Sequence, residues 1–303
     1  MTQETLKIPP SWKELVEEVH RSKGVVMVLG ASDTGKTTLA YFLSRELCGK
    51  GNKVSMISAD MGQCAFGPPA ALGMVLLESV PRSFRDVPVH TMYFIGDTSP
   101  VGHLLQTVVG VKKLVEKAFK EGMEFVVVDT TGFVQGGAAW ELKFQKIELT
   151  DTRHIVALQR NQELEDILRP QEHRTGRRVY RLKVLEEAKA RSYEQRRGYR
   201  RERFAEYFRE IAHQTLSMRS VRLVNPVNIP LEPKAVEAFQ RLLVGLNDDD
   251  NLCLALGVIE KMDIKSGKLS ILTPLKDLKG VKIVRFGSIR IEEDWSDTRT
   301  KPR

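Results

Sequence analysis

Cysteine is scarce in this 303-residue chain. Cys48, Cys64 and Cys253 stand far apart, and no Cys-x-x-Cys pair occurs. That disfavours a disulfide framework and a cysteine-rich zinc site, and a reducing compartment is the expectation. Long apolar runs are missing as well. No stretch of about 18 apolar residues occurs, so no membrane-spanning helix is expected. The opening MTQETLKIPPSWKEL is polar and has no apolar core of the kind a secretion signal needs. The expected location is the cytoplasm, or the nucleus if the source is eukaryotic. An Asn-Lys-x-Asp tetrad, the guanine signature of GTPases, is also absent, which lowers the standing of a GTPase reading. No internal repeat or low-complexity stretch is evident.

What is present is an ordinary globular composition, 42% hydrophobic and 28% charged. The length accommodates one large domain and a small one. The formal net charge is +8. Such an excess favours an anionic partner such as nucleic acid or nucleotide, and a solvated basic surface is the plain alternative.

The apolar spacing predicts an orderly alternation of elements. Trp12, Leu15, Val16 and Val19 fall at helical intervals over residues 11–22. Val25–Leu29 is a short apolar run ending in glycine, the mark of a buried parallel strand. A helix follows to Gly49 and Gly51, and further strands are predicted over 53–59, 89–95, 124–129 and 154–158. Helices are predicted over 104–120 and 162–168. This alternation implies a parallel sheet covered on both faces. Residues 186–208 read as a strongly basic helix. Beyond about residue 218, strands over 221–229, 252–259, 269–272 and 282–291 alternate with turn signals. The expected fold is therefore α/β, a P-loop NTPase with a mostly parallel sheet between helices, plus a small C-terminal β-rich module. The expected boundaries are 1–217 and 218–303.

Residues 30–37 read Gly30-Ala31-Ser32-Asp33-Thr34-Gly35-Lys36-Thr37. This is the Walker A pattern, and it lies between a predicted strand and a predicted helix. The two glycines let the backbone wrap around phosphate oxygens with amide groups pointing inward, and the helix adds its positive N-terminal end. Lys36 is expected to reach the β- and γ-phosphates and Thr37 to ligand Mg²⁺. Thr38 either contacts the α-phosphate or simply begins the helix. Asp33 fits a role in stabilising the loop. The expected cofactors are ATP and Mg²⁺. Two acids end predicted strands, Asp60 and Asp129. Either places a carboxylate at the carboxyl end of a parallel strand, where ligands bind in such sheets.

Together these segments resemble the polynucleotide 5′-hydroxyl kinase family, which includes the RNA kinase subunit of the eukaryotic pre-mRNA cleavage machinery and the kinases of ribosomal-RNA processing. The resemblance runs through Gly-x-x-Asp-x-Gly-Lys-Thr-Thr, Asp60-Met61-Gly62-Gln63 with Gly67-Pro68-Pro69, and Tyr93 to Pro100. It continues through Thr130 to Gly136, the arginine-rich stretch Arg191 to Phe208, and Leu243-Val244-Gly245-Leu246 with Thr273-Pro274. Phe133 stands where the family often has tryptophan, and the separate N-terminal β-domain of the longer eukaryotic members is expected to have no room here.

The resemblance implies a kinase that transfers the γ-phosphate of ATP to the 5′-hydroxyl of RNA or DNA, acting in RNA processing with other protein partners. It implies Lys36, Asp60, Arg191 and Arg196 as catalytic groups. Asp60 would serve as the base or, with Thr37, as a metal partner. Gln63, Thr98, Phe133, Arg197 and Arg200 would hold the acceptor, with the ring stacking on a base without reading its identity. The basic stretch would act as a lid that opens to admit a polynucleotide end. Two other readings compete: an ATP-binding scaffold with little turnover, and a GTPase-like switch.

Overall fold

The computed structural model describes residues 8–84, 86–226 and 228–300. In chain order the elements begin with α1 (Pro10–His20), β1 (Gly24–Gly30), α2 (Lys36–Gly49), β2 (Val54–Ala59), β3 (Ala71–Leu77), β4 (Thr91–Phe94) and α3 (Leu104–Lys120). Then come β5 (Phe125–Thr130), α4 (Gly137–Leu149), β6 (His154–Gln159), α5 (Glu165–Glu172), β7 (Arg178–Lys183) and α6 (Tyr193–Tyr207). The remaining strands are β8 (Ala212–Ser217), β9 (Arg222–Val224), β10 (Leu242–Asn247), β11 (Cys253–Asp263), β12 (Lys268–Thr273), β13 (Ile283–Ile291) and β14 (Asp297–Arg299), with short 3-10 helices at Met218–Ser220 and Pro233–Phe239.

These elements form two compact units. The first holds residues up to Ala59, Val75–Pro88 and Val111–Ala190, and the second holds Asp60–Met74, Val89–Gly110 and the chain from Arg191 onward. Neither unit is one uninterrupted stretch.

In the first unit β2, β5, β1, β6 and β7 lie side by side and all pair in parallel. β1 sits between β5 and β6, so both of its edges are paired, and its residues are buried on both faces. That is why its sequence is an unbroken apolar run and not an alternation. Val25 to Leu29 are at most 1% exposed. Met27, Leu29, Ile155 and Ala157 pack with Leu164, Ile167 and Leu168 in one apolar cluster. α1 buries the four residues picked out by its spacing, Trp12, Leu15, Val16 and Val19, and Pro10 at its first position presets the helical φ.

In the second unit β13, β10, β11, β4 and β3 follow one another as antiparallel pairs. β14 and β9 lie on β13, and β12 and then β8 continue from β11. Two apolar clusters fill it, one with Phe94, Phe204, Phe208 and Leu256, the other with Phe239, Leu246, Ile259 and Phe286.

Two sequence expectations are corrected here. The strand expected over 89–95 was assigned to the parallel alternation, yet β4 runs antiparallel to β3, with Ala71 opposite Phe94 and Met74 opposite Thr91. An antiparallel neighbour needs no helical crossover, so a helix–strand alternation rule misassigns it. The basic helix expected from residue 186 starts at Tyr193. Ser192 accepts a hydrogen bond from the Gln195 amide while the Gln195 side chain bonds the Ser192 amide. This reciprocal capping box sets the helix start.

Candidate functional site

In the first unit the loop after β1 leads straight into α2. Gly35 adopts φ 85° at the N-cap of α2, a left-handed conformation open to glycine at little cost. Asp33, also left-handed at φ 55°, has its carbonyl held by the Arg160 guanidinium at 3.0 Å, from the segment just after β6. The Lys36 ammonium is 7% exposed and donates to the Ala31 carbonyl at 2.6 Å, while Thr34 donates to the same oxygen at 3.0 Å. The lysine charge is thereby centred in the loop, where phosphate oxygens would meet it.

The Thr37 hydroxyl donates to Asp129 Oδ2 at 2.6 Å. Asp129 lies near the carboxyl end of β5, opposite Val28 of β1 and Ser58 of β2, and is 1% exposed. Of the two strand-ending acids, Asp129 is therefore the one bonded to the loop threonine. A hydroxyl and a carboxylate on adjoining elements supply hard oxygen ligands of the kind Mg²⁺ takes. No group of three or more His, Cys, Asp or Glu side chains suited to a metal exists among the described residues.

Beyond Asp129 the chain presses against the phosphate loop. A Cβ on Gly132 would lie 2.3 Å from Ser32 Oγ and 2.6 Å from the Ser32 backbone nitrogen, so only glycine fits. The segment is fixed from below by Lys143 of α4, a wholly buried ammonium that donates to Thr130 Oγ1 at 2.9 Å and to the Thr131 carbonyl at 2.6 Å. Burying an ammonium is costly unless its donors are satisfied, so Lys143 and the 130–131 segment hold each other in place. Lys143 was not legible as a site residue because α4, opening on two glycines, was not assigned from the sequence. Phe133 follows on the same loop, half-buried, and Thr38 lies in the first turn of α2.

The second unit carries the other expected residues. Asp60 Oδ1 accepts from the Gly62 and Gln63 amides, both at 3.0 Å, so Asp-Met-Gly-Gln folds into an Asx-type turn. Both side-chain polar atoms of Gln63 are shut off from solvent and make no hydrogen bond among the described residues. Buried amides are normally satisfied, which sets Gln63 apart from its neighbours in the turn.

Thr98 lies on the loop after β4 and donates to Asp297 Oδ2 at 3.4 Å. Its neighbour Asp97 is 4% exposed and sits among Ser288, His103 and Arg299. Burial alone would raise the Asp97 pKa. Hydrogen bonds from His103 and Ser288, with the Arg299 charge, outweigh that and bring it down to about 2. None of this network is legible in the sequence, since Ser288 and Arg299 lie 191 and 202 residues from Asp97.

The arginines divide by position. Arg191 is exposed ahead of α6, and on the helix Arg197 is exposed and Arg196 half-buried. Arg200 is 13% exposed and pairs with Asp297 at 2.9 Å. From Tyr199 on, α6 is anchored: the Tyr199 hydroxyl donates to the Cys64 carbonyl, Arg203 donates to the Gly67 carbonyl, and Phe204 is buried.

A Walker loop between a buried parallel strand and a helix, with a strand carboxylate on its threonine, defines an α/β P-loop nucleotide-binding protein. Residues 30–210 match the family model described as mRNA cleavage and polyadenylation factor CLP1 P-loop, and the chain belongs to that family. Among its curated relatives, a polyribonucleotide 5′-hydroxyl-kinase of Methanocaldococcus jannaschii is 31% identical over 90% of this chain and 88% of the relative. Another, from Pyrococcus abyssi, is 32% identical over 97% of this chain and 95% of the relative. The solved structure of wild-type Clp1p with Pcf11p covers 92% of this chain and 78% of that one at a TM-score of 0.68 and 15% identity, a likeness of fold. No helix among the described residues is long and apolar enough to cross a membrane.

Proposed function

We propose that this protein is an ATP-dependent polynucleotide 5′-hydroxyl kinase with RNA ends as its acceptor. The observation that carries the reading is the Lys36–Thr37–Asp129 arrangement around the phosphate loop, in a chain whose relatives along nearly its whole length bear the name of that activity.

In the reaction the acceptor 5′-oxygen attacks the γ-phosphorus, the bond to the β-phosphate oxygen breaks, and ADP leaves. Lys36 and the loop amides hold the donor phosphates. Thr37 and Asp129 would hold Mg²⁺. When bound, the ion would neutralise charge on the donor phosphates. Asp60 takes the hydroxyl proton. Arg191 and Arg196 stabilise the charge on the phosphoryl group in flight. Gln63 donates and accepts hydrogen bonds at the terminal nucleotide, a role its unsatisfied buried amide supports. Thr98, Phe133, Arg197 and Arg200 hold the acceptor, Arg200 from within its ion pair. The protein partners would be components of RNA processing.

The test is incubation with γ-labelled ATP or GTP and 5′-hydroxyl oligonucleotides of both sugars. Label should appear at the RNA 5′ end with ATP as donor. Nucleotide binding without labelled product would replace the kinase by a scaffold, and binding of GTP alone by a switch.

A further inference from the structure

Two segments proposed above to meet the acceptor are joined by a third, far along the chain. The Arg200 Nε of α6 donates to Asp297 Oδ1 at 2.9 Å, and the Thr98 hydroxyl donates to Oδ2 of the same carboxylate at 3.4 Å. Asp297 opens β14, and its side chain is 8% exposed, that of Arg200 13%. β14 is the outer strand of a hairpin, with Asp297 opposite Ile291 and Arg299 opposite Ile289 of β13. The same hairpin grips the loop after β4 at further points. The Ser288 amide donates to the Gly96 carbonyl at 2.8 Å, the Ser288 hydroxyl to Asp97 Oδ2 at 2.7 Å, and Arg299 to Asp97 Oδ1 at 3.2 Å.

A hairpin built only to close a sheet edge needs no buried charge. Here one shielded carboxylate receives a hydrogen bond from each of two elements about 100 residues apart. A buried carboxylate is tolerated only with partners, so Asp297 holds Arg200 and Thr98 where they stand. Losing it releases both and leaves the Arg200 guanidinium without its partner in a largely dry setting.

We infer that Asp297 is a positioning residue for the acceptor end. Through it the C-terminal β13–β14 hairpin sets the register between the arginine helix and the 97–99 loop, and so the affinity for the polynucleotide and not for the nucleotide. The inference rests on the kinase reading above. Its distinctive consequence is a split between the two substrates. An ion pair that only braced the fold would lower stability and affect both substrates alike.

The experiment uses the full chain, with 5′-hydroxyl RNA and ATP varied in turn, together with fluorescence anisotropy of a labelled 5′-hydroxyl RNA in the absence of ATP. In Asp297→Asn the RNA KM and Kd should rise about tenfold while the ATP KM stays within about twofold. Arg200→Gln should show the same split, and the double variant should lose less than the two singles combined, because they share the Arg200–Asp297 contact. Arg200→Lys keeps the charge but loses the Nε contact, and should show the same substrate split more weakly even if Asp297→Asn unfolds. Unchanged RNA affinity in a folded variant, equal losses for RNA and ATP, or additive singles would each overturn the inference. Failure of the unsubstituted chain to phosphorylate RNA would instead strike the kinase reading, with the anisotropy series still reporting on Asp297.

Discussion

Lys36 and the two acids carry the chemistry at the scale of single residues. The Lys36 ammonium lies in the loop with its charge aimed where the β- and γ-phosphates would bind. Lys36→Ala should cost at least about 100-fold in kcat, the loss typical of a removed charge-stabilising group, while thermal unfolding stays close to that of the parent. A folded Lys36→Ala protein with near-normal transfer would remove this loop from the active site. Asp60 and Asp129 separate by their partners. Asp129 accepts from the Thr37 hydroxyl and Asp60 accepts from the amides of its own turn. Asp129→Asn should therefore raise the Mg²⁺ concentration for half-maximal rate about tenfold, since a carboxamide is a poorer magnesium ligand. Asp60→Asn should keep ATP binding and lose most turnover. A magnesium titration and an ATP-binding isotherm on both variants assign the roles, and the reverse pattern would exchange them.

Helix α6 shows how an element can hold two kinds of arginine. Its anchored side uses Tyr199, Arg200 and Arg203 to bind neighbouring segments, whereas Arg197 and Arg201 are exposed. Only exposed cations are free to exchange their counterions for nucleic acid phosphates. Arg197→Glu and Arg201→Glu should each weaken oligonucleotide binding and reduce the slope of log K against log salt by about 0.7, the single-strand value per phosphate contact. Arg191→Ala and Arg196→Ala should fall on kcat, because the charge they meet exists chiefly in the transition state. Steady-state kinetics at two salt concentrations measure both effects. Uniform KM changes across all four would reduce the segment to a basic docking face.

At the scale of the whole molecule, long-range contacts across the second unit should set the acid limb of the stability curve. Despite its burial, the hydrogen bonds from His103 and Ser288 and the Arg299 charge hold Asp97 down at about 2, below the ordinary carboxylate range. A carboxyl so depressed contributes stability that is complete above about pH 4 and is lost as pH falls from there through 2. The shift corresponds to about 2 kcal/mol. Asp97→Asn should unfold at lower urea at pH 7 and show a flatter fall in stability between pH 4 and 2. Parallel pH profiles for parent and variant would place the acid sensitivity elsewhere.

Much of this protein was legible from local pattern. The apolar run of β1, the glycine loop and the helix after it are decided by neighbours in sequence, because a buried parallel strand and a phosphate-binding turn each have one compact signature. The same holds for α1, whose four spaced apolar residues are the four it buries, and for α3, which spans the residues its periodicity marked. Tertiary structure alone decided the rest. β3 and β4 pair antiparallel because the chain returns beside itself, and nothing within either strand distinguishes that from a parallel partner. Asp129 binds Thr37 because β5 lies beside β1, and Lys143 reaches Thr130 because α4 packs beneath that segment. Asp97 and Asp297 collect partners from residues about 100 to 200 positions away. A carboxylate's role is set by which charges and donors the fold brings within hydrogen-bond reach, and a linear pattern contains the groups but not their distances.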